Sequence, residues 1–130
     1  MNFKSFYDLV VENPIQKILV LEDQDMRVKM MKAYAQKFGL QYELIPFNNC
    51  SEAITYASQN QKDIIYYSLD YNLMMGETSE SFAKYLSQFT QGENVVIHSD
   101  DKEGVRVLQG ILPKAQWAIA PTNIEKLAMR

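Results

Sequence analysis

Residues 63–70 read Asp-Ile-Ile-Tyr-Tyr-Ser-Leu-Asp, a nearly continuous apolar run that ends on the carboxylate of Asp70. An earlier run, Lys-Ile-Leu-Val-Leu at residues 17–21, ends in the same way on Glu22 and Asp23. Apolar runs of this kind are typical of parallel strands that are buried on both faces of a sheet. Because parallel strands end at the same edge of a sheet, the two runs predict that three acidic side chains meet there.

Strand and helix patterns alternate from residue 16 onward. The predicted strands are residues 16–21, 42–47, 63–69, 94–98 and 116–120. Apolar residues at helical spacing predict a helix after each strand, and residues 79–90 form the third of them. This alternation predicts right-handed β–α–β crossovers and an α/β fold with a doubly wound, five-stranded parallel sheet. At this length we expect the strand order 2-1-3-4-5 of the flavodoxin-like fold, in which ligands bind where strands 1 and 3 end.

The first thirteen residues carry a helical pattern of their own. Phe3, Phe6, Tyr7 and Val10 follow the spacing of one helix face, and the pattern stops before Pro14. We therefore expect a single domain over residues 1–130, with an added N-terminal helix at 1–13 and the core at 16–130. The apolar stripe either packs on the core or forms a surface for a protein partner.

Composition excludes several classes of function. Thirteen basic and sixteen acidic residues give a formal net charge of −3, which argues against duplex DNA binding because that function normally shows as a basic surface. The one cysteine cannot form an internal disulfide. Neither a signal-peptide pattern nor an apolar run of membrane-spanning length is present in the sequence. We expect a cytoplasmic protein that does not contact the membrane.

The acidic strand ends predict a metal site. Three carboxylates in one crevice repel one another unless a cation lies between them. Carboxylate oxygens suit Mg²⁺ better than zinc, so Glu22, Asp23 and Asp70 are the predicted metal ligands, and a phosphate oxygen can complete the shell of the metal. The alternative interpretation is that these carboxylates are solvated or cap helices.

The fourth strand ends on His98-Ser99, followed by Asp100 and Asp101. Ser99 can donate a hydrogen bond to a phosphoryl oxygen, and His98, the only histidine, can act as a general acid or base near neutral pH. Because side chains alternate along a strand, a crevice-facing Ser99 predicts a core-facing His98 with a structural role. The two aspartates are predicted to cap the next helix. The candidate catalytic residues are thus Asp70, His98 and Ser99.

The stretch from about Lys17 to Leu127 resembles a response-regulator receiver domain. The residues that match the functional positions of that family are, in chain order, Glu22-Asp23, Asp70, Ser99 and Pro121. The resemblance implies Mg²⁺-dependent phosphorylation of Asp70 and a signalling protein as partner. Receivers carry a lysine just before the proline, and Ala120 stands there in this chain, so the ammonium that would hold the phosphoryl group is absent.

Finer details resemble the cyclic-phosphate-processing receiver family. The matching segments are residues 68–73, the Gly76-Glu77-Thr78 turn, and Ile97-His98-Ser99 with Gly104 after it. This resemblance implies action on cyclic-phosphate ends of RNA or nucleotides, with Asp23 and Asp70 at a metal and His98 and Ser99 near the phosphate. That family has a histidine and a second aspartate directly after its central aspartate, where this chain has Tyr71 and Asn72.

Three hypotheses therefore stay open on the sequence. The first is a metal-dependent phosphoesterase that acts on a nucleotide or RNA phosphate end. The second is a phosphoacceptor receiver in phosphorelay signalling. The third is a pseudo-receiver that binds a protein partner and has a vestigial crevice. The sequence makes no prediction of oligomeric state.

Overall fold

Five parallel strands form one sheet, and their order matches the order expected from the sequence. The structure is a computed structural model that describes residues 16–128, so the predicted N-terminal helix at 1–13 lies outside the described residues. The strands are β1 (Gln16–Leu21), β2 (Tyr42–Phe47), β3 (Ile64–Leu69), β4 (Val95–Ile97) and β5 (Gln116–Trp117). Their order across the sheet is β2-β1-β3-β4-β5, and all four pairings are parallel.

A helix follows every strand. The helices are α1 (Asp25–Lys37), α2 (Cys50–Asn60), α3 (Glu80–Leu86), α4 (Lys102–Ile111) and α5 (Thr122–Ala128), and a 3₁₀ turn spans Met74–Gly76. The Asn49 side chain caps α2, since its Oδ1 accepts the Glu52 N–H at 2.9 Å. Asp101 caps α4 by accepting the Gly104 N–H at 3.0 Å, as predicted. Among the helices that the structure describes, none combines the length and apolar character that crossing a membrane requires.

Several elements are shorter than their sequence patterns suggest: strand β4 is Val95–Ile97 instead of residues 94–98, and two other elements differ more. Helix α3 ends at Leu86 rather than near residue 90, because the Gln88 and Phe89 N–H groups bond carbonyls only three residues back, those of Tyr85 and Leu86. Strand β5 has two residues instead of five, and among the described strands it pairs with β4 alone, at the edge of the sheet. The exposed apolar residue Ile119 extends the strand-like pattern past the end of β5 at Trp117.

The two faces of the sheet are covered by different helices. Ile18 and Val20 of β1 point toward Met31 and Ala35 of α1 and toward Ile124 of α5. On the opposite face, Leu19 and Leu21 belong to the larger cluster that includes side chains of α2, α3 and α4. Burial on both faces explains why the strand sequences are almost continuously apolar.

The strand register brings three strand ends to the same level. Leu21 of β1 pairs with Leu69 of β3, and Leu69 pairs with Ile97 of β4. The ladder continues for one more step, because the Asp70 N–H donates to the Leu21 carbonyl at 2.9 Å and the His98 N–H donates to the Leu69 carbonyl at 2.8 Å. The residues that follow the last paired positions are therefore neighbours across the sheet.

Candidate functional site

Glu22, Asp70 and His98 form the centre of the candidate site. They directly follow the level strand ends, and each offers one ligand atom within 4.8 Å of the other two. Strands in a sheet lie ~4.8 Å apart, so the register makes Asp70 a neighbour of both Glu22 and His98. Glu22 and His98 follow strands that are two positions apart, and their side chains meet by reaching across the end of β3. All three residues are buried, with 5% or less of their surface exposed. The predicted convergence of β1 and β3 carboxylates at one edge is thus present, and it includes the histidine after β4.

Asp23 and Ser99 lie beside this centre. Asp23 is half-buried and is not part of the group of three ligand atoms. Ser99 is fully buried, and its hydroxyl accepts the Asp101 N–H at 3.1 Å. The Ser99 carbonyl accepts the Trp117 indole N–H at 2.6 Å, which ties the loop after β4 to β5. Ser99 also hydrogen-bonds Asp70 in a way that favours the ionised carboxylate.

His98 and Ser99 are consecutive residues, and both lie at the acidic crevice. Strict strand alternation predicts that only one of two consecutive residues faces the crevice. Strand β4 ends at Ile97, so residues 98–101 leave the pleated geometry and the alternation no longer applies. The imidazole Nε2 lies 3.1 Å from Glu22 Oε1.

A chain of hydrogen bonds links the crevice to helix α5. Asn123 donates its Nδ2–H to Ser68 Oγ at 2.7 Å, and Ser68 Oγ lies 2.7 Å from His98 Nδ1. Since Ser68 accepts from Asn123, its own hydroxyl hydrogen is free to donate to His98 Nδ1. This network assigns the ring hydrogen of neutral His98 to Nε2, which donates to Glu22. The chain therefore runs in one direction, from Asn123 toward Ser68 and from His98 toward Glu22.

The network predicts that Ser68→Ala destabilises the fold. The change leaves His98 Nδ1 and the Asn123 amide without their shared partner in a fully buried place, at a cost of about 2 kcal/mol in the free energy of unfolding. Urea unfolding followed by circular dichroism measures this free energy. Ser58→Ala is the matched control, because the Ser58 hydroxyl is exposed and bonds the Thr55 carbonyl of its own helix. Equal free energies of unfolding for the two variants would contradict the network.

Arg27 is the basic side chain of the crevice. It lies on α1, and its Nη1 is 3.5 Å from Asp70 Oδ2 and 3.7 Å from Glu22 Oε1. Its Nη2 is 3.9 Å from Asp100 Oδ2 on the outer side. The guanidinium thus partly neutralises the two buried carboxylates.

The two buried carboxyl groups respond differently to this environment. Burial, together with the charge of Glu22, raises the pKa of Asp70 to about 6. Burial also acts to raise the pKa of Glu22, but the hydrogen bond and attraction of His98 and the N–H of Gln24 hold that pKa below its usual value. Burial and hydrogen bonding with Glu22 raise the pKa of Asp23. Glu22 is therefore the carboxylate that stays ionised, and Asp70 is the one whose charge is costly.

The loop after Asp70 is fixed by the two residues that depart from the cyclic-phosphate-processing pattern. The Tyr71 hydroxyl donates to Glu80 Oε1 at 2.9 Å, and its ring lies against the backbone of Gly104 in α4. Asn72 donates to Asp101 Oδ2 at 2.9 Å. Tyr71 and Asn72 thus join the end of β3 to the beginnings of α3 and α4, a structural role that the sequence did not predict.

A cavity of about 180 Å³ opens beside the crevice. The described residues that line it are Arg27, His98, Asp100, Ile119 and Ala120. The small side chain of Ala120 stands where the receiver resemblance would place a lysine, so this part of the site contains open space rather than an ammonium group.

These features define a class of protein: an α/β domain of the receiver type, with an acidic group at the carboxyl ends of its central strands. The chain has the fold of response regulator receiver domains, and solved structures of such domains match it along nearly its whole length. One is a receiver domain from Rhodospirillum rubrum, at 20% identity and a TM-score of 0.63, covering 87% of this chain and 86% of that chain.

Two further solved structures have the same fold. A receiver domain protein from Clostridium thermocellum matches at 15% identity and a TM-score of 0.67, covering 88% of this chain and 90% of that one. The Mn²⁺-bound form of response regulator Rcp1 matches at 16% identity and a TM-score of 0.64, covering 86% of each chain. No protein-family model and no curated protein matches the sequence.

Three residues of the site were missed by reasoning from the sequence: Arg27, Ser68 and Asn123. Arg27 carries a signal that was available, because it follows Asp23 by four residues and so lies on the first turn of the helix that begins at the acidic edge. Ser68 and Asn123 carry no such signal, since a serine within an apolar strand and an asparagine in a helix start are common without a shared contact.

Proposed function

We propose that this receiver-fold protein binds a divalent cation, Mg²⁺ in the cell, and through it the phosphate end of a nucleotide or RNA, with cyclic-phosphate processing as its reaction. The observation that carries the proposal is the convergence of the Glu22 and Asp70 carboxylates beside His98, with one donor atom of each residue within 4.8 Å of the other two. Its place at the switch between β1 and β3 is where doubly wound sheets bind ligands.

The donor set fits a divalent cation. Two buried carboxylates supply the hard oxygen atoms that Mg²⁺ and Mn²⁺ prefer, and Asp23 is the predicted third acidic ligand. The raised pKa of Asp70 supports the same view, because two buried carboxylates in contact are costly unless a cation neutralises them. A receiver neighbour was solved in a Mn²⁺-bound form, which makes Mn²⁺ a suitable probe. When bound, such an ion polarises a phosphate and neutralises its charge.

His98 is the proposed proton donor. Hydrolysis of a cyclic phosphate adds one water: the hydroxyl joins phosphorus, one bond from phosphorus to a ribose oxygen breaks, and that oxygen gains a proton. In its protonated imidazolium form His98 donates the Nε2–H proton to this oxygen and becomes neutral, and a proton from the attacking water restores the imidazolium. The Ser68 hydroxyl holds the other ring nitrogen, so the imidazole keeps its orientation while the proton moves.

A second groove supports a nucleotide as ligand. It measures about 400 Å³ and is lined by Asn48, Asn49, Met74, Met75 and Glu77. These residues follow β2 and β3, so the groove opens at the same edge of the sheet as the crevice. Met74 and Met75 are exposed to 53% and 98%, and they offer an apolar surface to a base or ribose.

The metal step is tested by titration of the protein with Mg²⁺ and Mn²⁺. We expect saturable changes in the fluorescence of Trp117, the only tryptophan, because its indole N–H holds the Ser99 carbonyl next to Asp70. The Asp70→Asn variant is expected to lose the response, with an affinity at least tenfold weaker. Asp63→Asn, in the loop before β3 at the opposite edge of the sheet, is the matched control and should respond like the wild type. A wild-type protein without any metal response would contradict the proposal.

The reaction is tested by incubation with 2′,3′-cyclic AMP and Mg²⁺. We expect ring opening to a nucleoside monophosphate, with loss of activity in His98→Gln and in the presence of EDTA. An unchanged rate in Asp70→Asn would contradict the assignment of the site. If metal binds but the cyclic nucleotide is neither opened nor bound, the metal site stands and the reaction does not.

Phosphoacceptor signalling is the second candidate function, and one observation favours it. Asp70 follows the central strand β3, at the position that accepts the phosphoryl group in the receiver resemblance. The solved structures that share the fold of this chain are receiver domains. In this case incubation with acetyl phosphate and Mg²⁺ adds one phosphate to the intact mass, and Asp70→Asn prevents it. An interaction module without chemistry is the outcome if neither metal nor phosphodonor changes the protein.

A further inference from the structure

The guanidinium of Arg27 lies at the same two carboxylates that form the candidate metal group. It is 3.5 Å from Asp70 Oδ2 and 3.7 Å from Glu22 Oε1, and Glu22 Oε1 is also the atom that contacts His98. A positive charge at this distance attracts both carboxylates and repels a second cation. The guanidinium and a divalent ion therefore compete for the same negative charge.

The contacts of Arg27 are loose. Their distances of 3.5, 3.7 and 3.9 Å exceed the 2.9 Å of the exposed Arg106–Glu103 pair on α4. Hydrogen bonds from guanidinium to carboxylate are shorter, at roughly 2.7–2.9 Å. Attraction between charges, rather than a fixed pair of hydrogen bonds, thus holds Arg27 in the crevice, and the side chain is 30% exposed.

Open space and a second carboxylate lie on the outer side of Arg27. The cavity of about 180 Å³, lined by Ile119 and Ala120 among others, has room for roughly six water molecules. Asp100 borders this cavity, and its side chain is 81% exposed. The guanidinium can therefore move outward without a steric clash and keep an ion pair there.

We propose that Arg27 is an internal counter-cation that exchanges with the divalent ion. In the metal-free protein it neutralises Glu22 and Asp70, and on metal binding it moves to Asp100 and the cavity. This exchange lowers the affinity of the site for metal and keeps the metal-free crevice stable. The inference rests on the metal binding proposed above and adds the element that regulates it.

The test compares Arg27→Gln with Arg106→Gln. Both variants remove one positive charge, but within residues 16–128 Arg106 pairs with Glu103 on the surface of α4 and not with the crevice. We expect the dissociation constant for Mg²⁺, measured by Trp117 fluorescence, to fall about tenfold in Arg27→Gln and less than twofold in Arg106→Gln. In EDTA, the melting temperature should fall in Arg27→Gln and stay unchanged in Arg106→Gln, because only the first variant leaves buried carboxylates without their counter-charge.

A double-mutant cycle tests the outward position. Asp100→Asn should weaken Mg²⁺ binding about threefold in the wild-type background, because the displaced guanidinium loses its outer partner. In the Arg27→Gln background the same change should have no effect. An equal effect in both backgrounds would mean that Asp100 acts only through its own charge, and it would overturn the outward pairing.

The outcomes separate this inference from the proposed function. If the wild type binds Mg²⁺ and Arg27→Gln binds it no more tightly than Arg106→Gln, the exchange is wrong and the metal site stands. If neither the wild type nor Arg27→Gln binds Mg²⁺ or Mn²⁺, the proposed metal site fails and the exchange fails with it. An unchanged melting temperature of Arg27→Gln in EDTA would also overturn the proposed role of Arg27 as counter-cation.

Discussion

The Asp70→Asn variant is expected to be more stable than the wild type when no metal is present. Burial and the charge of Glu22 raise the pKa of Asp70 from its ordinary 3.8 to about 6, so the folded state pays a free-energy cost to ionise this group. Full conversion of the shift gives about 3 kcal/mol, and relaxation of the solvent around the crevice lowers the cost that unfolding measures. We expect a gain of about 1–2 kcal/mol, or an increase of about 3–6 °C in the melting temperature at pH 7.5.

The sign of the pH dependence follows from the direction of the shift. Between the ordinary pKa and about 6, Asp70 binds more protons in the folded protein than in the unfolded protein. The stability of the folded protein is therefore lost as the pH rises through this window. Below the window both states are protonated and the cost is absent. Asparagine does not titrate, so the difference between variant and wild type should be largest above pH 7 and should vanish near pH 3.5.

Thermal unfolding in EDTA, followed by circular dichroism from pH 3.5 to 8, measures this difference. The same scan with saturating Mg²⁺ should reverse the order of the two proteins, because only the wild type gains stability from the ion. A variant that melts at or below the wild-type temperature at pH 7.5 in EDTA would show that the Arg27 contact outweighs the cost of burying the Asp70 charge.

Gly104→Ala, in the first turn of α4, is expected to destabilise the protein strongly. A Cβ atom added at Gly104 would lie 2.3 Å from Tyr71 Cγ and 2.7 Å from Tyr71 Cβ. The clash involves the part of the ring nearest the backbone, so the tyrosine cannot relieve it by rotating its outer end. We expect a loss of about 2–3 kcal/mol in the free energy of unfolding. Because Tyr71 follows Asp70, the change should also weaken metal binding.

Gly110→Ala in the same helix is the matched control. A Cβ atom there meets nothing within 4 Å, so alanine should stabilise the protein by about 0.5–1 kcal/mol through its higher helix propensity. The cause of the Gly104 effect is checked in the Tyr71→Gly background, where the clash is absent and Gly104→Ala should cost much less. If urea unfolding shows an equal cost in both backgrounds, the contact with Tyr71 is not responsible.

The order of the strands could be predicted because the three central strands β1, β3 and β4 are largely buried on both faces, which leaves β2 and β5 at the edges. Residues 17–21 and 64–69 have few polar side chains, and the helices between strands carry clear caps such as Asn49 and Asp101. The ends of elements were harder to predict. Apolar side chains that stay exposed, such as Phe89 after α3 and Ile119 after β5, have the same sequence signal as buried ones.

The candidate site could be predicted only where it depends on strand ends. Glu22 and Asp70 follow from the position of two apolar runs, and their convergence needs no further information. The place of His98 depends on how β4 ends, because the loop after Ile97 turns the imidazole toward Glu22. Arg27 had a local signal, since it lies four residues after Asp23 in the first turn of α1. Asn123 reaches the network from α5, and the packing of that helix on the sheet cannot be derived from local spacing.

The level alignment of Leu21, Leu69 and Ile97 has a consequence for finding relatives of this protein. Inserting one residue within any of these strands would turn the following side chain to the opposite face of the sheet, away from the other two. Evolution can therefore lengthen the helices and loops freely, but it can keep this site only if the three strands keep the register that aligns their ends. Distant relatives should be sought by the residues that directly follow the ends of these three short strands, taken together, rather than by a single motif.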